Sequence, residues 1–162
     1  MNITLRRHKL SDAKRFYEIL TNPNFTYFSP KPKSVEEEYA FLKKLKGKWK
    51  EGIQRDYAII HNTKVIGGCG LKFDIHRKFC AEVGYFVDEA YWGNGIAGKV
   101  VSLLEKEAKK LGIKRMTLIT HTKNRASIRV AEKAGYKREG KMKDAIEHKK
   151  GFHDAYLFAK IL

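Results

Sequence analysis

Residues 81–98 read Ala81-Glu82-Val83-Gly84-Tyr85-Phe86-Val87, then five connecting residues from Asp88 to Trp92, then Gly93-Asn94-Gly95-Ile96-Ala97-Gly98. The first seven are mostly apolar, β-branched or aromatic, and predict a strand. From Gly95 onward Ile96, Val100, Leu104, Ala108 and Leu111 recur at the spacing of one helix face, and Gly112 supplies a stop. A glycine-rich loop joining a strand to a helix lets backbone N–H groups approach an anion, and the helix N-terminus behind it adds about half a positive charge. The GxGxxG spacing also fits a dinucleotide fold. That fold wants the loop tight against its strand and a carboxylate about twenty positions on; here the loop is displaced, and the next strand ends in Thr120-His121-Thr122. A purely structural glycine turn is the other reading of the same residues.

Working outward, the chain reads as one α/β unit covering residues 1–162, a mixed sheet in the order β-α-α-β-β-β-α-β-α-β-β. Ile3 to Arg7 alternates as a short strand. Ser11 opens a helix with Ala13, Phe16, Tyr17 and Leu20 on one face, and Pro23, Pro30 and Pro32 mark a loop. Ser34 with Glu37 three residues on makes a capping box, followed by Val35, Tyr39, Leu42, Leu45 and Trp49 on one face. Asp56–Ile60 and Lys64–Leu71 form a hairpin across His61-Asn62-Thr63. Beyond the central helix come a strand at Met116–Thr120, a helix at Arg125–Ala134 stopped by Gly135, and strands at Tyr136–Met142 and Ala155–Ile161.

The charge is 34 Lys+Arg against 18 Asp+Glu, a net +16. Such an excess suits polyanions, whether nucleic acid, a ribosomal surface or a phosphate-bearing cofactor, and it also serves solubility. Cys69 and Cys80 lack CxxC or zinc-site spacing and read as small buried strand residues, so no metal site is expected. The chain shows no run long and apolar enough to span a membrane and no signal-peptide pattern, which predicts a protein kept in the cytoplasm.

A second motif, Asn124-Arg125-Ala126-Ser127-Ile128-Arg129-Val130-Ala131-Glu132-Lys133-Ala134-Gly135-Tyr136, follows about thirty residues after the first. With AEVGYFVDEAYWGNGIAG, it resembles the GCN5-related N-acetyltransferase (GNAT) superfamily, and within it the RimJ/RimL branch, over nearly the whole chain. The resemblance implies the acyl-CoA N-acyltransferase fold, acetyl-coenzyme A as co-substrate, an amine acceptor, and direct attack in a ternary complex. Tyr85, Phe86 and Val87 would then offer backbone groups to the pantetheine arm and the thioester carbonyl. Gly93, Asn94, Gly95, Ile96, Ala97 and Gly98 would cradle the pyrophosphate through main-chain N–H groups. Lys99, Arg125, Arg129 and Lys133 lie near the two motifs and give part of the basic excess a ligand to meet. The family often carries Gln or Arg where this chain has Trp92.

Asn124 is well placed to cap the helix that starts at Arg125, and its counterpart in the family also touches the pantetheine region. Ser127 lies one turn inside that helix, where serine is not a favoured residue. Either it bonds back to the helix or, as the resemblance implies, it protonates the departing thiolate; many relatives use a Tyr four residues later, where this chain has Ala131. The acceptor amine must be neutral to attack. Deprotonating a lysine at pH 7 costs about 4.6 kcal/mol, an α-amino group only about 1 to 1.4. Glu82, the one carboxylate in its strand, is the leading base or a structural carboxylate, and His121 is the reserve base or a polar strand end.

The family places the acceptor between the early helices and the last loop, here Tyr27, Phe28 and Tyr39 against Asp144 to Asp154. The favoured acceptor is a protein N-terminal α-amino group, with possible ribosome association and a monomer or homodimer as the assembly. A small-molecule amine (an antibiotic or amino-sugar) and a non-catalytic basic RNA-binding module are the alternatives. The net charge disfavours a polycationic acceptor through slower encounter.

Overall fold

The computed structural model describes residues 1–28, 30–148 and 151–162. Its strands are β1 (Ile3–Arg7), β2 (Gln54–His61), β3 (Lys64–Phe73), β4 (Cys80–Val87), β5 (Arg115–His121), β6 (Lys137–His148) and β7 (Gly151–Ile161). Its α-helices are α1 (Ala13–Leu20), α2 (Val35–Lys50), α3 (Ile96–Lys110) and α4 (Arg125–Lys133). Element order is the one read from the sequence. The strands form one seven-stranded sheet in the order β1-β2-β3-β4-β5-β7-β6.

All neighbours are antiparallel except β4 and β5, which run parallel and pair only through Cys80–Arg115, Ala81–Met116 and Glu82–Thr117. Beyond Glu82 the two strands diverge while each stays paired to its other neighbour, β4 to β3 through Val87 and β5 to β7 through His121. A wedge-shaped gap therefore opens in mid-sheet. α3 closes one side of the core, burying Ile96, Val100, Val101, Leu104 and Ala108 with Val83, Met116, Leu118 and Phe158. α1 and α2 bury Phe16, Leu42 and Leu45 with Ala58 in a second cluster.

Local chemistry explains where the elements differ from the sequence reading. Ser11 does not cap α1: Leu10–Asp12 form a 3-10 turn in which the Asp12 carboxylate accepts from the Lys9 amide and pairs with Arg6. Ser34 does cap α2, accepting from the Glu37 amide at 3.1 Å, but Glu37 reaches past it to the Lys33 amide. On α2 the buried residues are Glu38, Leu42 and Leu45, with Val35 and Trp49 half-buried at the two ends of the stripe; Tyr39 is 45% exposed, whereas Glu38 is only 4% exposed. Leu111 is exposed because α3 ends one residue before it. Asn62 and Thr63 both adopt positive φ, the two-residue turn whose twist matches a hairpin.

The last hairpin is longer than expected. β6 and β7 run on to His148 and from Gly151, with a register shift between Met142 and Ile146 where Asp144 takes a positive φ and its amide donates to Asp154. Most of Asp144 to Asp154 is therefore strand, and Lys149 and Lys150 lie outside the described residues. Cys69 and Cys80 are free and buried, as read. Among the described residues no helix is long and apolar enough to cross a membrane.

Candidate active site

The gap between β4 and β5 opens into a cleft of about 960 Å³. It collects Tyr85, Phe86, Val87, Gly93, Gly95, Ile96, Ala97, Gly98, Asn124, Ser127 and Lys133, residues that come from three separate stretches of sequence. Glu82 and Asn94 do not line it. Asn94 instead donates its side-chain amide to the carbonyls of Tyr91 and Trp92, at 3.2 and 3.0 Å, and so braces the loop from behind.

The backbone of β4 is available to a ligand at alternate residues only, because amide and carbonyl of one residue turn to the same side of a strand. The Asp88 amide donates to Ile66 and the Phe86 carbonyl sits against Gly67, so even-numbered residues serve the ladder to β3. Odd-numbered residues face the gap. Of these, the Val87 carbonyl already accepts from the Trp92 indole at 2.7 Å. The expected backbone offer of Tyr85 to Val87 thus contracts to both groups of Tyr85 and the amide of Val87, and Phe86 contributes its ring instead. That ring packs on Phe16, Phe25 and Phe28, with centroids 5.3, 6.4 and 5.6 Å away.

The glycine loop meets the requirement for an anion cradle. Gly93 and Gly95 have φ of +77° and +70°, and an added Cβ at Gly93, Gly95 or Gly98 would meet nothing within 4 Å. Gly95 caps α3 without a side chain, so the first-turn amides of Ile96, Ala97 and Gly98 keep their donors free among the described residues. Arg129 and Lys133 line the cleft near these amides; Lys99 and Arg125 do not, and Lys99 donates to the Met1 carbonyl. Lys160, unremarked in the sequence, also lines the cleft, but it is committed to Glu105 and the Ala134 carbonyl. A phosphate-bearing ligand with a narrow arm fits this donor set.

α4 carries the polar centre. Asn124 accepts from the Ser127 amide at 3.1 Å, the expected cap, and this fixes the turn on which Ser127 sits. The Ser127 hydroxyl lies 3.1 Å from the Tyr85 hydroxyl, so the serine does not bond back to its helix. Burial raises the Tyr85 pKa, and the bond to Ser127 opposes that. This pairing was not legible in sequence, since the two residues lie on different elements.

Glu82 faces the α1–α2 side of the sheet and lines a second cavity, of about 260 Å³. Phe28, Tyr85 and Phe86 line both spaces, so the two meet beside β4. With Glu82 stand Glu38 and Asp56, neither singled out by the sequence reading. Burial, then the neighbouring Glu37, pushes the Glu38 carboxyl up to about 7. Burial also raises Asp56, against the opposing bond from Gln54. The available signal was a glutamate three residues after Val35 and four before Leu42, inside an apolar stripe. His121 lines neither space: its Nδ1 accepts from the Lys123 amide, and it packs on Tyr27 and His153 with both ring centroids 5.0 Å away. Burial, then His153, His148 and Lys123, lower its pKa. Tyr27, though partly exposed, lines the larger cleft with Phe28, whereas Tyr39 is a surface residue that lines neither space.

The acetyltransferase (GNAT) domain family matches residues 2–137. The chain belongs to this GNAT family. Among its relatives, the uncharacterised N-acetyltransferase p20 of Bacillus licheniformis is 26% identical over 97% of this chain and 91% of its own. Two solved GNAT structures share the fold closely. One is RimL, a ribosomal L7/L12 α-N-protein acetyltransferase in complex with coenzyme A, with a TM-score of 0.91, 21% identity, and coverage of 100% of this chain and 95% of that one. The other is the microcin C7 self-immunity acetyltransferase MccE with acetyl-CoA and AMP, with a TM-score of 0.90, 21% identity, and coverage of 99% and 92%. At these identities the likeness establishes the fold, and the GNAT match establishes the chain as an N-acetyltransferase.

Proposed function

We propose that this GNAT domain transfers acetyl from acetyl-coenzyme A to a primary amine, and that the acceptor is an α-amino group at a protein N-terminus. The observation that carries the reading is the Tyr85–Ser127 hydroxyl pair set in the β4–β5 gap, opposite the uncapped amides of α3. The α-N-protein acetyltransferase activity of a fold neighbour supports the choice of acceptor.

Acetyl-coenzyme A supplies an activated acyl group. The α3 amides with Arg129 and Lys133 hold its phosphates, and the gap-facing groups of Tyr85 and Val87 hold the arm. A backbone amide aimed at the carbonyl oxygen stabilises the charge that develops there. The amine forms an N–C bond as the C–S bond breaks, so one proton must leave nitrogen and one must reach sulfur. Ser127 donates the second, its hydroxyl kept in place by Tyr85. Glu82 takes the first through water, from the acceptor side of the sheet.

The test is calorimetric titration with acetyl-CoA, followed by thiol release with peptides bearing free or blocked N-termini. Micromolar binding and turnover with free termini alone are expected. Ser127→Ala should lower kcat by about 10²-fold or more, the usual worth of a positioned acid, with little change in coenzyme affinity. Unchanged turnover removes Ser127 from the reaction, and absence of acetyl-CoA binding overturns the reading.

A further inference from the structure

Glu38, Asp56 and Glu82 converge from α2, β2 and β4 on the smaller cavity, and none has an ion-pair partner among the described residues. Glu38 is only 4% exposed, and its carboxylate has no hydrogen-bond donor. Asp56 uses Oδ1 to accept from Gln54 at 2.7 Å, while Oδ2 is buried without any partner. A Cβ at Gly70 would approach Asp56 Oδ1 to 2.7 Å, so the carboxylate occupies room that only glycine leaves. Two basic residues also line the space. Each ring nitrogen of His8 lies against a backbone carbonyl, of Asp56 and of Leu42, so neither reaches a carboxylate. Lys72 is solvent-exposed and pairs with none of the three.

A buried carboxylate without a donor is costly, and proteins keep few of them. Glu38 is one, Asp56 leaves one buried oxygen unpartnered, and with the half-buried Glu82 they surround one apolar-walled space that a cation with N–H donors would complete. Burial raises both Glu38 and Asp56; nothing opposes it at Glu38, whereas the bond from Gln54 and the nearby His8 and Lys48 oppose it in part at Asp56. The space is small, about 260 Å³, and suits one basic side chain or one short amine. It joins the reaction cleft at Phe28, Tyr85 and Phe86.

We propose that this cavity is a cation subsite, and that the acceptor carries, besides the amine to be acetylated, a second ammonium or guanidinium group that seats between Glu38 and Asp56. This rests on the acetyl-transfer reading for the identity of the ligand as acceptor, but the subsite itself does not. The overall +16 charge slows the approach of a cation from bulk solution. At contact the unpaired carboxylates dominate, because charges farther away than about 10 Å are screened by salt while buried ones are not.

The experiment has a binding arm and a turnover arm. In the first, 1,4-diaminobutane and n-butylamine are titrated into the protein without acetyl-CoA. The diamine should bind at least ten-fold more tightly, and both Glu38→Gln and Asp56→Asn should bring the ratio to within two-fold. In the second, acetyl transfer is followed to peptides identical except for lysine or norleucine at the first or second position, and to the free diamine. A ten-fold or greater kcat/KM preference for the dibasic acceptor should collapse in Glu38→Gln. Preference for the lysine peptides over the diamine assigns the cation to a protein terminus, and the reverse assigns it to a small dibasic amine. Equal binding of diamine and monoamine by the unaltered protein overturns the subsite, as does a preference that survives both substitutions. If diamine binding is selective but no amine is acetylated, the subsite stands and the acetyl-transfer reading fails.

Discussion

Glu38→Gln should make this protein more stable at pH 8 and leave it nearly unchanged in stability at pH 4. In the folded chain the Glu38 carboxyl titrates at about 7, because burial and then Glu37 oppose its charge; in the unfolded chain it titrates near 4.3. Between these values the folded state holds a proton that the unfolded state has released, so stability falls as pH rises. Below about 4 the side chain is neutral in both states and contributes no difference. Above about 7 it is charged in both, and the folded state bears the whole cost. A separation of roughly 2.7 units at about 1.4 kcal/mol each gives about 3.8 kcal/mol, which partial solvent screening of the carboxylate reduces to about 3 kcal/mol. Glutamine keeps the shape without the titration, so any constant packing offset cancels when the two proteins are compared across pH. Urea unfolding at half-unit intervals from pH 4 to 8 measures the difference. The gap between variant and parent should widen by about 3 kcal/mol, with its midpoint between pH 5 and 7. A gap independent of pH would show that Glu38 is solvated or compensated, and would remove the premise of the cation subsite with it.

Gly95→Val should weaken coenzyme binding about ten-fold or more, since Gly95 lines the cleft and holds a φ of +70° that costs an L-residue roughly 1–2 kcal/mol; undiminished affinity by calorimetry counts against the cradle. Asn124→Ala removes the acceptor of the Ser127 amide and should cost about 1 kcal/mol in urea unfolding. It should also lower kcat more than coenzyme affinity, and equal losses would mean that the cap does not position Ser127. Gly70→Ala should destabilise by about 1–3 kcal/mol, because its Cβ would meet the Arg55 carbonyl and Asp56 Oδ1 at 2.7 Å. Gly84→Ala, with nothing within 4 Å, is the control and should stay within about 0.5 kcal/mol; equal effects would refute the packing argument.

What was legible in the sequence was whatever one element determines alone. The α3 stripe from Ile96 to Ala108 and the Ser34 and Asn124 caps are each fixed by neighbours within about five residues and stand where the sequence places them, while Leu111 falls outside the stripe and the hairpin turn is Asn62-Thr63 alone, His61 belonging to β2. The glycine loop was legible because positive φ and a bare helix start are backbone properties. The phase of α2 was not: Tyr39 and Glu38 compete for one position on the stripe, and the aromatic looks the better core residue until the cavity beneath it is known. Tyr85 with Ser127, and Glu38 with Asp56 and Glu82, are pairings across elements, and single-strand periodicity carries no register between them. The last hairpin was read too short because its charged residues lie on an edge strand, where exposure does not prevent pairing.

The three residues shared by both cavities tie these features together. Phe86 projects to the α1–α2 side, where its ring is held by Phe16, Phe25 and Phe28 and covers Gly68. Tyr85, the next residue on the same strand, turns its hydroxyl to Ser127 on the other side. A strand that alternates faces thus sends its two aromatics to opposite sides of the sheet at the junction both spaces share, and the parting of β4 from β5 just beyond Glu82 leaves no neighbouring strand to seal the passage between them. The Trp92 indole occupies the Val87 carbonyl at the open end, so the free edge that remains is short. On the acetyl-transfer reading, donor and acceptor approach from opposite faces and meet at Tyr85. Binding energy is then separable: changes to the α3 amides should act on the coenzyme alone, and changes to Glu38 or Asp56 on the amine alone. Only the shared residues, Phe28, Tyr85 and Phe86, should affect both.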